Sequence, residues 1–86
     1  MPYSVTWSEL AGRQMLALDR QELERIASKV EAAADTPEHY FKRLAGFEES
    51  RLRVGDYRII AHVNHGEKHI LVESIGHRSS VYKKLK

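Results

Sequence analysis

Large apolar and small polar residues alternate over residues 3–7 of this 86-residue chain. A period of two is typical of a half-buried β-strand. Residues 8–9 then have the character of a helix N-terminus, and Ala11, Met15 and Leu18 fall on one helical face. The pattern therefore predicts a strand that leads into a helix ending near Leu18.

The next segment predicts a second helix. Asp19 and Glu22 form a variant of the capping box, in which the Asp19 carboxylate accepts a backbone N–H. The helix is expected to stop by residues 35–37, because a residue before proline is disfavoured in the helical region. Residues 37–50 follow neither the strand period nor the helix period, and we expect them to form an ordered connection. Four residues form the apolar stripe of this helix: Leu23, Ile26, Ala27 and Val30.

The rest of the pattern predicts a meander of three strands. Residues 51–54 and 57–63 flank Gly55-Asp56, and a two-residue turn with glycine is a strong hairpin signal. A second turn over residues 64–67 leads into a strand over residues 68–75. The expected fold is α+β, a four-stranded antiparallel sheet with both helices on one face. A short helical turn is expected in the tail, from Ser79 or Ser80.

Composition adds a charge asymmetry to this picture. Residues 1–50 hold 6 Lys and Arg against 9 Asp and Glu, whereas residues 51–86 hold 8 against 3. A basic half made of strands favours an anionic partner, with nucleic acid the first candidate. The length predicts one domain over residues 1–86. Since no apolar run approaches the roughly 20 residues of a membrane span and no secretory signal precedes the first strand, we expect a cytoplasmic protein without a membrane partner.

The predicted hairpin concentrates arginines. If Gly55-Asp56 is the turn, Arg53 lies opposite Arg58, and Arg51 shares their side of the sheet, away from the helices. Like charges opposite each other on a sheet are destabilising unless an anion lies between them. The arginines therefore predict an anion site. The alternative interpretation is that they splay apart into water.

The C-terminal tail adds groups that suit phosphoryl chemistry. RNA is cut when its own 2′-hydroxyl attacks the adjacent phosphorus, which requires a base, cations for the phosphate and an acid for the leaving oxygen. Guanidinium groups grip phosphate oxygens in a fork, and Arg78 adds one more. Tyr82 is a candidate base or a stacking platform for a nucleobase, and His77 is a candidate acid. The alternatives are that Tyr82 only packs the tail and that His77 only faces solvent.

The remaining titratable residues predict no further site. His62 and His69 are interpreted as a surface pair, because the histidines lack the spacing of a metal motif. A turn at His65-Gly66 would place Glu73 near Arg58, where it would neutralise that arginine or, less favoured, assist as a base. No metal or cofactor is expected.

Two stretches of the chain carry a family resemblance. They are Leu44-Ala45-Gly46 through Arg51-Leu52-Arg53-Val54-Gly55-Asp56-Tyr57-Arg58-Ile59-Ile60, and Ile75-Gly76-His77-Arg78-Ser79-Ser80-Val81-Tyr82. These stretches resemble the RelE branch of the RelE/ParE toxin superfamily, and the order of elements fits over most of the rest. The resemblance implies a ribosome-dependent, metal-independent endoribonuclease that cleaves mRNA in the A site of the 30S subunit. It further implies a RelB-like antitoxin in a hetero-oligomeric complex and a toxin that is monomeric alone.

The family's site residues can be carried over by position. The resemblance assigns the site to Arg51, Arg53, Arg58, Arg78 and Tyr82. The chain departs from the best-studied branch, which has lysines at the first two of these positions and at that of His77. The division of acid and base roles among Tyr82, His77, Arg78 and Glu73 therefore stays open. The alternative function is that of a ParE-like or degenerate toxin, which acts on DNA gyrase by protein binding without cutting RNA.

Overall fold

Three helices and five strands follow one another in the computed structural model, which describes residues 2–43, 46 and 48–77. The predicted first strand, both predicted helices and the three strands of the meander are present, with ends shifted by up to two residues. The elements are β1 (Ser4–Trp7), α1 (Glu9–Leu16), α2 (Arg20–Asp35), α3 (Pro37–Tyr40), β2 (Lys42–Arg43), β3 (Ser50–Val54), β4 (Tyr57–Asn64) and β5 (His69–His77).

Side-chain caps begin the two long helices where the sequence predicts them. The Ser8 hydroxyl accepts a hydrogen bond from the N–H of Ala11 at 3.0 Å. The Asp19 carboxylate accepts one from the N–H of Glu22, also at 3.0 Å. Each cap satisfies one of the backbone donors that a helix N-terminus leaves without an intrahelical partner.

The sheet differs from the prediction in the number of its strands and in their relative direction. Its strands lie in the order β1-β5-β4-β3-β2, and β1 is parallel to β5. The sheet is therefore five-stranded and mixed, and the expectation of four antiparallel strands was wrong. Hydrophobic periodicity identifies strands but carries no information on the direction of a neighbouring strand about 65 residues away in the chain.

Residues 37–50 contain more regular structure than predicted. Pro37 occupies the start of α3, where its fixed φ suits a first helical turn and its missing N–H costs nothing. The two residues of β2 pair with β3, with Lys42 opposite Arg51 and Arg43 opposite Ser50. Elements of four and two residues are too short for periodicity to reveal. The helical turn predicted from Ser79 or Ser80 lies outside the described residues.

The two hairpins of the meander differ. In the first, Val54 lies opposite Tyr57 as predicted, and Gly55 has a φ of 59°, the left-handed value that a tight hairpin turn requires. In the second, Asn64 lies opposite His69, so four residues form the loop instead of two. The predicted register of β5 is therefore displaced.

The core lies between the sheet and the first two helices. α1 packs on β5 and β1, and α2 packs on β3 and β1. The largest fully buried residues of this cluster are Ile26 and Val30 from α2 and Leu52, Ile59, Ile70 and Val72 from the sheet.

Candidate active site

The sheet face opposite to the helices, hereafter the open face, carries most of the candidate chemistry. Leu52, Val54 and Ile59 belong to the core beneath the helices. Because side chains alternate along a strand, their neighbours on β3 and β4 project to the other side. On these two strands the open face therefore comprises Arg51, Arg53, Arg58, Ile60 and His62.

Three arginines lie together on the open face, as predicted. Arg53 is directly opposite Arg58, and Arg51 is opposite Ile60. Arg53 is exposed and donates a long hydrogen bond of 3.5 Å from Nε to the Gly55 carbonyl. Arg58 is only 6% exposed. The Arg58 side chain is thus buried at the surface of the sheet, whereas the Arg53 side chain is exposed to solvent.

His77 is not placed with these arginines. It lies opposite Tyr57, and the two rings meet edge to face with their centroids 5.7 Å apart. Tyr57 packs against the core from the helix side. The imidazole therefore shares the face of Tyr57, whereas the residue opposite Arg58 on β5 is Gly76. Arg78 and Tyr82 lie outside the described residues.

Glu73 lies where the register of β4 and β5 changes. Ala61 is opposite Val72 and Ile60 is opposite Ser74, so Glu73 is the extra residue of a β-bulge. The two-residue turn that would have placed it opposite Arg58 does not form. Burial raises the pKa of the Glu73 carboxyl, the nearby Glu49 raises it further, and His62 acts in the opposite direction.

His62 is a site neighbour that sequence reasoning did not identify. It was interpreted as half of a surface pair with His69, but it lies opposite Leu71. His69 lies opposite Asn64, and its Nε2 is 2.7 Å from the Thr6 hydroxyl. The signal for His62 was available, because alternation along β4 places it on the same face as Arg58. The sequence singled out Glu73 through a two-residue turn that does not form, and its actual position, like the role of Glu49, followed only from the register and the bulge.

A basic cleft adjoins the open face at Arg53. This cleft of about 370 Å³ lies between α2 and the first hairpin, and Arg25, Lys29 and Arg53 bring three cations to it. Lys29 Nζ lies 5.1 Å from the centre of the Tyr40 ring. The other residues that line the basic cleft are Ser28, Ala32, Val54 and Gly55.

The described part of the chain contains neither a membrane-spanning helix nor a metal-binding cluster. None of its helices combines the length and the hydropathy that crossing a bilayer requires. Its histidine, aspartate and glutamate side chains form no group of three that is suited to hold a metal ion.

Comparisons with known proteins agree with this geometry. Residues 5–82 match the family model described as ParE toxin of type II toxin-antitoxin system, parDE. Among curated proteins, no match to the chain was found.

Solved structures of RelE proteins share the fold. The toxin-antitoxin complex RelBE2 from Mycobacterium tuberculosis is similar at a TM-score of 0.81 and 20% identity, over 92% of this chain and 94% of that one. The archaeal RelE-RelB complex from Pyrococcus horikoshii gives 0.77 and 25%, over 91% and 97%. The isolated Escherichia coli RelE toxin gives 0.75 and 22%, over 96% and 94%. The family match extends over nearly the whole chain, and the chain therefore belongs to the ParE toxin family of type II toxin-antitoxin systems, within the RelE/ParE superfamily.

Proposed function

We propose that the chain is a RelE-type toxin, an endoribonuclease that cleaves mRNA in the ribosomal A site and so inhibits translation. The observation that carries the proposal is the convergence of Arg51, Arg53 and Arg58 on one sheet face. Arg53 and Arg58 are like charges directly opposite each other, an arrangement that destabilises a sheet and that a bound anion would offset. A phosphodiester is the anion whose oxygens match the guanidinium fork.

The arginines would stabilise the transition state of an internal transesterification. The 2′-hydroxyl of the RNA attacks the adjacent phosphorus, and the negative charge on the phosphate oxygens becomes more concentrated. Cations that are fixed before the reaction stabilise this charge without reorganising. Because guanidinium groups supply this stabilisation and side chains supply the proton transfers, the proposed mechanism requires no metal or cofactor.

Proton transfer is proposed for residues at the end of β5 and beyond. Tyr82 is a candidate because a phenol can give or take a proton, and Arg78 adds a further cation. The acid role proposed for His77 has less support, since its ring packs on Tyr57 on the helix side of the sheet. An acid on the open face is better placed to reach the leaving 5′-oxygen.

A RelB-like antitoxin is the proposed partner. The similar structures from Mycobacterium tuberculosis and Pyrococcus horikoshii are complexes of a RelE protein with RelB. The cations of the open face and the basic cleft favour an acidic antitoxin segment. We propose that the complex is hetero-oligomeric, that the free toxin is monomeric and that both are cytoplasmic.

Cleavage during translation tests the proposal. The purified chain is added to ribosomes stalled on a defined mRNA, and the RNA ends are sequenced. We expect new 5′-hydroxyl ends within the A-site codon, none on the same RNA without ribosomes, and strongly reduced cleavage by Arg53→Ala. Arg13→Ala, which changes an exposed arginine on α1, is the matched control and should cleave normally.

The second candidate function is inhibition of DNA gyrase, which the ParE description of the matching family favours. It is measured by supercoiling of relaxed plasmid in the presence of the chain. Intact mRNA together with loss of supercoiling would replace the nuclease proposal with this one.

A further inference from the structure

Ile60 lies at the centre of a cluster on the open face. It is 7% exposed yet lies outside the core cluster beneath the helices. Arg51 is opposite it on β3, and Ser74 is opposite it on β5. Arg58 precedes it by two residues on the same face, and Glu73, the extra residue of the bulge, directly precedes Ser74 on β5. A phosphate above Ile60 would thus have arginines on two sides and a carboxylate on a third.

The backbone of the bulge is held in place by α1. The Ser8 hydroxyl donates a hydrogen bond of 2.7 Å to the Glu73 carbonyl. The Gln14 side-chain oxygen accepts one of 2.6 Å from the N–H of Ile75. Polar side chains from the first helix therefore fix the residues on both sides of the point where the ladder is interrupted. A bulge fixed in this way directs its extra side chain reproducibly, which a catalytic group requires.

We propose that Glu73 is the general base of the cleavage reaction, an assignment that rests on the proposed endoribonuclease function. Its carboxylate takes the proton of the attacking 2′-hydroxyl as the bond from O2′ to phosphorus forms. The bond from phosphorus to O5′ breaks, and O5′ keeps the electron pair and takes a proton from the general acid. The products are a 2′,3′-cyclic phosphate and a 5′-hydroxyl, and Arg51 and Arg58 hold the non-bridging oxygens throughout.

The surroundings of Glu73 suit a base. Partial burial and the negative charge of Glu49 raise the pKa of the carboxyl, which brings it closer to neutrality and strengthens it as a proton acceptor. The positive charge of His62 lowers the pKa of the Glu73 carboxyl and so partly offsets this effect. The charged groups that act on Glu73 are Glu49, before β3, and His62, on β4. Arg51, on β3, lies opposite Ile60, and Arg58, on β4, lies opposite Gly76.

Single-turnover cleavage across pH tests the assignment. Glu73→Gln should cleave at least about 10²-fold more slowly, because general-base contributions reach about 10²- to 10⁴-fold. Glu73→Asp keeps the carboxylate and should recover part of the rate. Glu67→Gln changes an exposed carboxylate in the loop after β4 and is the matched control, with unchanged cleavage.

The pH profile separates a base from a merely structural residue. The rate of the wild type should fall on the acidic side as Glu73 becomes protonated. Glu49→Gln removes a negative neighbour and should move that limb to lower pH, whereas His62→Ala removes a positive one and should move it to higher pH. A structural role would leave the limb in place.

Three outcomes are decisive. A Glu73→Gln variant that cleaves as fast as a competent wild type overturns the assignment and leaves the endoribonuclease proposal standing. An acidic limb that neither neighbour moves also overturns the assignment. A folded wild type that cleaves no message on ribosomes overturns both proposals.

Discussion

Arg53 and Arg58 face each other directly across two strands, and their repulsion gives a measurable signature. We expect Arg53→Ala to leave thermal stability unchanged or slightly higher, because like charges opposite each other cost up to about 1 kcal/mol. Cleavage should fall by about 10²- to 10³-fold, the usual cost of one preorganised charge contact. Melting curves and single-turnover rates measure the two effects. A variant that is less stable but fully active would contradict an anion site.

Tyr82 has two possible uses in catalysis, which removal of its hydroxyl distinguishes. If it acts in proton transfer, Tyr82→Phe should slow the chemical step by about 10²-fold while ribosome binding persists. If it only stacks on a nucleobase, Tyr82→Phe should retain most activity and Tyr82→Ala should lose it, since stacking is worth about 1 to 3 kcal/mol per base. Single-turnover rates at saturating ribosomes decide. The assignment of the base to Glu73 leaves Tyr82 the role of acid or of stacking platform.

The raised pKa of Glu73 also predicts how stability depends on pH. Because the folded-state pKa lies above the unfolded one, the folded chain binds protons more tightly, and stability decreases as pH rises through the folded-state pKa. Glu73→Gln removes this unfavourable ionisation. It should raise the melting temperature at neutral pH and have little effect at a pH well below the usual range of a carboxyl. A melting temperature that falls equally at both pH values would indicate lost packing instead.

The first hairpin requires a glycine at position 55 for two reasons, its backbone conformation and the close approach of Arg25. Gly55 has a φ of 59°, and a Cβ there would lie 2.9 Å from Nη2 of Arg25. Gly55→Ala should therefore destabilise the chain by about 1 to 2 kcal/mol from backbone strain alone, and it should displace Arg25 from the basic cleft. Urea unfolding measures the difference. Gly12→Ala is the control, because a Cβ in α1 would meet nothing within 4 Å and alanine favours a helix by about 0.5 to 1 kcal/mol.

The secondary-structure elements that could be predicted from the sequence are those set by residues close together in the chain. The caps at Ser8 and Asp19 and the turn at Gly55 are each set by residues within a few positions, and each is confirmed. The parallel pairing of β1 with β5 and the bulge at Glu73 arise from contacts between residues about 65 positions apart. No periodicity within one segment records such contacts. The arginine cluster was therefore predictable from one hairpin, whereas the sequence named Glu73 but placed it by a two-residue turn that does not form.

At the scale of the whole molecule, Arg53 joins two basic surfaces, because it belongs to both the open face and the basic cleft. On the helix side of the cleft, Arg25 and Lys29 lie one turn apart on α2. An acidic antitoxin segment bound there would reach Arg53 and would thereby block the proposed active site. Inhibition would then follow from occupancy of the cleft, without any rearrangement of the sheet.

Charge reversal in the cleft separates antitoxin binding from cleavage. The double variant Arg25→Glu and Lys29→Glu should bind an acidic antitoxin at least roughly tenfold more weakly, because like charges across an interface cost several kcal/mol. The loss should shrink as salt is raised, since screening weakens exposed charge pairs.

Cleavage without antitoxin should be unchanged in this double variant, because neither residue lies on the open face. Titration calorimetry at two salt concentrations and single-turnover cleavage measure these effects, and Arg20→Glu, on an exposed side chain at the start of α2, controls for net charge. Equal antitoxin affinity of the double variant and the wild type would exclude the cleft as the antitoxin site.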